Sequence, residues 1–416
     1  MSLAAPFARG GFRALLAGQV ISIAGDRFNY LALIGLLTAH AARHGENPAR
    51  LLAALAWAML GPSLLFSPWA GAIVDRLALV RVLVWTDLAR AMVVAAIPLA
   101  YLATGSTLPV FALVALAFAL NAFFLPARSA LPPALVPPAA LDAANALLVL
   151  GGVAATLVGT AIGGPVVDRF GPAPALWIDA ATYLASVAAL ATLLGGGFGT
   201  PARAPAPPPG RARSFPASLR AALDEARAGW AIARRSPAAR APVIASVATW
   251  VAGGVLHVAG TAHVIRGSSR VTELGLLLAA LALGAVLGSA VTLARPRQGR
   301  ARALALGLAG AGAGLIAFAL ARAPWAMALA AAWTGYFAAP VFFVSETAIQ
   351  QAVPEGARAR VFSARDFLSR ASFLAVTALA APLVARFGTT VPIALAGGVL
   401  GAIALALLAG ARAEEI

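Results

Sequence analysis

The 416-residue chain contains no cysteine. Disulfides, thiolate nucleophiles and cysteine-ligated metals are thereby excluded. Lysine is missing too, since all 31 basic residues are arginine. A P-loop needs a lysine to reach the phosphates, so direct drive by ATP through such a loop is ruled out. No HExxH pair occurs and the four histidines are scattered, so neither a metal site nor a bound cofactor is expected. Glycine-rich stretches such as Gly307–Gly314 lie inside apolar runs, where they serve helix packing and not phosphate binding. Charge is scarce as well, at 11% of residues, against about 25% in a soluble domain.

What fills the chain instead is apolar sequence, with 61% hydrophobic residues and a mean hydropathy of +0.88. Runs at 12–37, 50–74, 79–104, 108–127, 143–167, 174–194, 241–264, 272–294, 302–321, 325–347, 363–385 and 389–410 stand out. A run of ~20 apolar residues matches the ~30 Å hydrocarbon core of a bilayer. Backbone groups in lipid must be satisfied internally, so runs of this length read as helices. The first run follows Arg9 and Arg13 but is too long for a signal-peptide core, and it reads as a membrane span. The expectation is an all-α integral membrane protein with twelve spans.

Arginine is sorted onto alternate gaps. One side receives Arg76 and Arg81, the run from Arg203 to Arg240, Arg295–Arg302 and Arg358–Arg370. The other receives only Arg43, Arg50, Arg169, Arg266, Arg270, Arg322 and Arg386. The imbalance, roughly three to one, places the richer side and both termini in the cytoplasm, with the spans in a bacterial inner membrane. The net charge of +16 is spread over these membrane-flanking gaps, so the bilayer, not nucleic acid, is its partner.

Residues 195–240 form the one long connection. Pro201, Pro205, Pro207, Pro208 and Pro209 favour an extended linker. Leu219, Leu223, Ala226, Trp230 and Ala233 then recur at helical spacing with Arg220, Arg227 and Arg234 off that stripe, as in an amphipathic helix at the inner surface or a short solvated loop helix. The chain divides into a six-span bundle over 1–194, this linker, and a second bundle over 241–416. The halves echo each other: Ala130–Pro137 resembles Ala348–Pro354, and Gly71-x-x-x-Asp75 has a counterpart in Gly288-x-x-x-Thr292. Paired six-helix halves are a transporter architecture with its site near the midplane.

Charges at membrane depth cost ~3 kcal/mol or more and need a partner or a wet cavity. Gln19, Ser22, Asp26 and Asn29 form one polar stripe on the first span. This stripe is expected to face the central cavity, with Asp26 taking up and releasing a proton. Arg27 points about 100° away around the helix, where it can meet an anionic substrate. His257 lies at similar depth in span seven, on a stripe with Ser246, Trp250, Gly253 and Thr261, and is the second candidate for proton traffic. Tyr30, Asn121, Phe124 and Trp250 are candidates for an amphipathic pocket wall. Asp87 with Arg90, and Asp366 with Arg370, have three- and four-residue spacing and read as local ion pairs of an inner gate.

The segment Gly71-Ala-Ile-Val-Asp75-Arg76-x-x-x-x-Arg81, set between spans two and three, resembles the cytoplasmic loop motif of the major facilitator superfamily. The resemblance covers nearly the whole chain and implies a fold of two pseudo-symmetric six-helix bundles. It also implies that Gly71 permits close helix approach, and that Asp75, Arg76 and Arg81 form a latch. Asp75 would engage the start of span eleven near Ser363, and Arg128 on span four. Gly18-Gln19-x-x-Ser22-x-x-Gly25-Asp26-Arg27, Thr86-Asp87-Leu-Ala-Arg90 and Phe123-Phe124-Leu-Pro126 are similar in texture to the enterobactin-exporter and macrolide-efflux branch. In span five, Gly159-Thr160-Ala-Ile-Gly163-Gly164-Pro165 departs from the Gly-Pro-x-x-Gly-Gly stretch common in exporters. The resemblance implies a monomeric secondary transporter, not an enzyme, exporting a small amphipathic molecule in exchange for protons. Import, lysolipid flipping, or a transport-inactive scaffold are the alternatives.

Overall fold

A computed structural model describes residues 6–74, 76–195, 215–268, 270–294 and 299–414. Among the described residues all regular structure is helical, and twelve helices are long and apolar enough to cross a membrane. The chain forms two compact units. The first comprises Met1–Leu37 and Trp57–Leu219, the second Thr38–Ala56 and Arg220–Ile416.

The first six spans are α1 (Gly10–His44), α2 (Pro48–Val74), α3 (Leu79–Thr104), α4 (Thr107–Ala130), α5 (Leu141–Phe170) and α6 (Pro172–Ala191). Their ends follow from local chemistry. Asn47 Oδ1 accepts the Ala49 N–H at 3.0 Å ahead of α2, and Ser106 Oγ accepts the Leu108 N–H at 3.3 Å to cap α4. Gly105 and Gly171 close α3 and α5 with φ of 64° and 86°, values a side chain would oppose. Proline opens α6, where its missing N–H costs nothing. Pro126 lies inside α4 and Pro340 inside the tenth span, yet both helices run unbroken. In the first unit α3 packs on α4 and α6, over a core including Phe12, Leu15, Leu83, Phe124 and Leu190.

In the second unit, α7 (Phe215–Ala233) precedes α8 (Pro237–Val255), which continues through a π-helical turn at Leu256–Gly260 into α9 (Thr261–Ser268). Then follow α10 (Val271–Ala294), α11 (Arg300–Leu320), α12 (Pro324–Ala352), α13 (Glu355–Phe387) and α14 (Thr390–Glu414). α12 packs on α10 and α11, α11 on α14, and α13 on α8. A Cβ on Gly284 or Gly288 would run into the carbonyl of Ala332 or Tyr336, so these glycines let α10 and α12 touch through their backbones. Leu102, Leu108, Leu329 and Leu405 stand exposed on helix faces, as expected where the solvent is lipid.

Two boundaries of these units fall elsewhere than between the bundles read from the sequence. Thr38–Ala56, the end of α1 and start of α2, groups with the second unit. The connecting helix α7 is also part of that unit from Arg220 onward. Its apolar stripe is covered by protein: Ala226 and Ala233 are buried, and Trp230 packs on a core of Val243, Ile349, Val353 and Val361. Gly229 sits so close to α13 that a Cβ would meet the Arg360 carbonyl and the Ala364 methyl. Burial against α8, α12 and α13 removes the apolar area that membrane-surface binding would need. The proline-rich stretch Pro201–Pro209 lies outside the described residues.

Candidate functional site

The first unit holds a cluster of charged and polar side chains from α1, α3 and α6. Arg90 on α3 is its hub. Its Nη2 lies 3.1 Å from Asp26 Oδ1 on α1 and also donates to the Tyr183 hydroxyl oxygen on α6. Its Nη1 lies 3.4 Å from Asp87 Oδ1, one helical turn back on α3. The guanidinium carbon sits 4.2 Å from the centroid of the Tyr183 ring and 5.6 Å from that of Phe124, where ring faces attract a cation. The Tyr183 hydroxyl in turn donates to Asp26 Oδ1. A buried guanidinium is tolerated only when paired and hydrogen-bonded, and these contacts supply both at Nη1 and Nη2, while Nε has no partner among the described residues.

Two further links fasten α6 to its neighbours. Ser186 Oγ donates to Asp87 Oδ2 at 2.7 Å. Asn29 Nδ2 donates to Asp179 Oδ2 at 2.7 Å. Glycine makes the approach possible: a Cβ on Gly25 would collide with the Thr182 hydroxyl and the Asp179 carboxylate, and one on Gly18 would press the Ser186 hydroxyl at 3.0 Å. Exposure separates the three carboxylates. The Asp26 side chain is 36% exposed, whereas Asp87 and Asp179 are at 0%.

These positions change the reading of the α1 stripe. Gln19 is buried and its Nε2 donates to the Leu148 carbonyl oxygen on α5 at 3.2 Å. Ser22 is buried, and Asn29 is taken by Asp179. Three of the four stripe residues therefore face protein inside the unit, because a buried polar group must find a partner and α5 and α6 provide them. Phe124, expected on a pocket wall, is a buried cover for Arg90. Among the described residues Arg27 has no ion pair and its Nε no hydrogen-bond partner, and its stem packs where Gly159 lacks a Cβ. Tyr30 and Asn121 are half-buried.

In the second unit His257 falls within the π-helical turn, a distortion frequent at functional positions. Its Nε2 lies 3.0 Å from the Leu52 carbonyl oxygen, which can only accept, so Nε2 carries the hydrogen. Its ring centroid is 6.0 Å from that of Phe373, which also receives Trp250 edge-on at 5.8 Å. Asp26 belongs to the first unit and His257 to the second.

The gate residues divide. Asp87 and Arg90 do form the expected i,i+3 pair, but as part of the Asp26 cluster and not as a separate contact. Asp366 does not pair with Arg370; its Oδ1 takes Nε and Nη2 of the adjacent Arg365, which also reaches Glu346 Oε2 at 2.9 Å. A neighbour whose planar fork already satisfies the carboxylate leaves nothing for the residue one turn away. Among the described residues a Cβ on Gly71 would meet nothing within 4 Å, while one on its echo Gly288 would meet the Tyr336 carbonyl. Arg76 and Arg81 are exposed and Arg128 is half-buried. Asp75 lies outside the described residues.

The residue that sequence reasoning missed is Tyr183, and Asp179 was given no role. A signal existed, since Asp179, Thr182, Tyr183 and Ser186 repeat at helical spacing on α6 as one polar stripe. Among the described residues no group of three or more His, Asp or Glu is arranged to hold a metal ion.

Comparison with known proteins agrees with this architecture. The multidrug efflux pump Tap of Mycolicibacterium fortuitum is 30% identical over 201 residues, 47% of this chain and 48% of that protein. The match thus spans about half the length of that relative. Among solved structures, a peptide transporter POT in complex with sulfate aligns with a TM-score of 0.72 at 17% identity, over 97% of this chain and 94% of that one. A POT family transporter in complex with 5-aminolevulinic acid gives 0.70 at 14%, covering 96% of each. The human organic anion transporter MFSD10 (TETRAN) gives 0.66 at 15%, over 96% and 99%. At such identities the likeness concerns the fold alone. The family model of the Major Facilitator Superfamily matches residues 15–372, and the chain belongs to that superfamily of membrane transporters.

Proposed function

We propose that this transporter exports a small amphipathic molecule in exchange for protons, by alternating access across a bacterial inner membrane, as a monomer with both termini cytoplasmic. The observation that carries the reading is the position of Asp26. It is the one carboxylate of the first-unit cluster with solvent access, and it is bonded to a buried cation and a buried tyrosine. A proton arriving at Asp26 cancels its ion pair with Arg90 and converts an acceptor into a donor. Arg90 stays held by Asp87, so the bond that weakens is the one between α1 and α3. α1 is thereby the element that responds to the proton.

In the first unit Arg27, Tyr30 and Asn121 are proposed to contact substrate; the buried Nε of Arg27 has no hydrogen-bond partner among the described residues. Trp250 is proposed for the same role in the second unit. Efflux as the direction is supported by the likeness to a multidrug efflux pump. Arginine on alternate gaps supports the orientation of the termini.

The test compares ethidium, tetracycline and other amphipathic probes retained by cells making wild-type protein, Asp26→Asn protein, or neither. Release with wild-type protein alone is the expected result. Equal release by Asp26→Asn would remove Asp26 from the coupling. Equal retention in all three lines would overturn export of these compounds.

A further inference from the structure

Asp179 has no part in the exchange just described, yet like Asp87 it is fully enclosed. Its side chain is fully buried on α6. Asp26 and Asp87 each form an ion pair with Arg90, at 3.1 and 3.4 Å, while among the described residues no cation lies within 4.0 Å of Asp179. Its hydrogen-bond partners are both neutral: the Asn29 amide at 2.7 Å and the Thr182 hydroxyl at 3.3 Å. The bare Cα of Gly25 closes the remaining side, since a Cβ there would strike Asp179 Oδ1. The charged groups within electrostatic reach are Asp26 on α1 and Arg90 on α3, and the one positive charge among them is already shared.

An ionised carboxylate taken out of water with no cation beside it is strongly disfavoured, a penalty that a bound proton removes. We propose that Asp179 is held as a neutral carboxylic acid throughout the cycle and acts as a positioning residue. Through Asn29 it fixes α1 against α6, one helical turn from Asp26. Neutrality at this position is what lets a single proton do the switching. With Asp179 neutral, protonation of Asp26 takes the cluster from one net negative charge to neutrality. With Asp179 ionised, the cluster would remain charged in both states, and the charge-assisted Asn29–Asp179 bond would keep α1 tied to α6.

The inference rests on the coupling role of Asp26 only where transport is read, so it is tested first without transport. Infrared spectra of the purified protein should contain the carbonyl stretch of a protonated carboxylic acid that persists across the active pH range. Asp179→Asn should remove that band, and Asp26→Asn should leave it. Where Asp179→Asn fails to accumulate, Asp179→Glu should shift the band instead. In vesicles Asp179→Asn, which mimics the neutral acid, should transport within about twofold of wild type with an unchanged pH profile. The proposal is overturned if the wild-type band is absent or titrates with bulk pH. It is equally overturned if Asp179→Asn abolishes gradient-driven transport while Asp179→Glu retains it. A band present in a protein that moves no protons would sink the coupling reading and leave Asp179 as proposed.

Discussion

The Tyr183 hydroxyl donates to the Asp26 carboxylate across 157 positions of sequence, joining the sixth span to the first. The same oxygen of Asp26 receives Arg90 from the third. Three helices are thus held at one carboxylate, and of the cluster's three carboxylates it is the one that solvent reaches.

Arg90 should be indispensable to folding as well as to coupling. Replacing it by glutamine strands Asp87, which is fully buried, and such a stranded charge costs about 3–5 kcal/mol. Thermal unfolding of Arg90→Gln protein in detergent should show a large loss of stability. The double change Arg90→Gln with Asp87→Asn should recover much of it, because the stranded charge is gone. If the double variant were as unstable as the two single losses added together, Asp87 would not be the partner that matters.

Gly25→Ala is expected to loosen the α1–α6 contact, since the added methyl meets Thr182 and Asp179. Overpacking of this kind costs about 1–3 kcal/mol. Gly61→Ala on α2 is the control: its methyl meets nothing within 4 Å, and alanine is favoured over glycine in a helix by about 0.5–1 kcal/mol. Melting temperatures should therefore move in opposite directions. A neutral Gly25→Ala would mean that α1 and α6 are not as close as the structure places them.

His257→Ala should leave the proton dependence of transport unchanged and lower stability by about 0.5–1.5 kcal/mol, the net worth of its hydrogen bond to the Leu52 carbonyl within α2. His257→Gln, which can still donate, should recover part of that loss. Were His257→Ala to remove the pH dependence while remaining stable, the histidine would be a proton carrier and not a brace.

The twelve spans were legible because a bilayer demands long apolar runs, and composition alone reports them. The partners of buried charges were not. Periodicity picks out the α1 face carrying Gln19, Asp26 and Asn29, but it says nothing of what that face meets. Asp87 and Arg90 satisfied a local rule at three-residue spacing, which hid their link to Asp26, 64 positions before Arg90. Asp366 was misassigned for the opposite reason, because a closer arginine outcompeted the one at helical spacing. Gly288, a weak echo of the loop-motif glycine, makes a backbone contact between α10 and α12 that the sequence did not single out. The stripe Asp179, Thr182, Tyr183 and Ser186 was readable in α6, and matching it with the α1 stripe would have located the cluster.

Coupling at Asp26 is tested most directly with purified protein in liposomes that enclose a pH-sensitive dye. A compound released from cells only by the wild-type protein is added on one side, and internal pH is followed. Wild-type protein should move protons opposite to the compound, and Asp26→Asn protein should move none while remaining folded. Proton movement of equal size in Asp26→Asn protein would contradict the account.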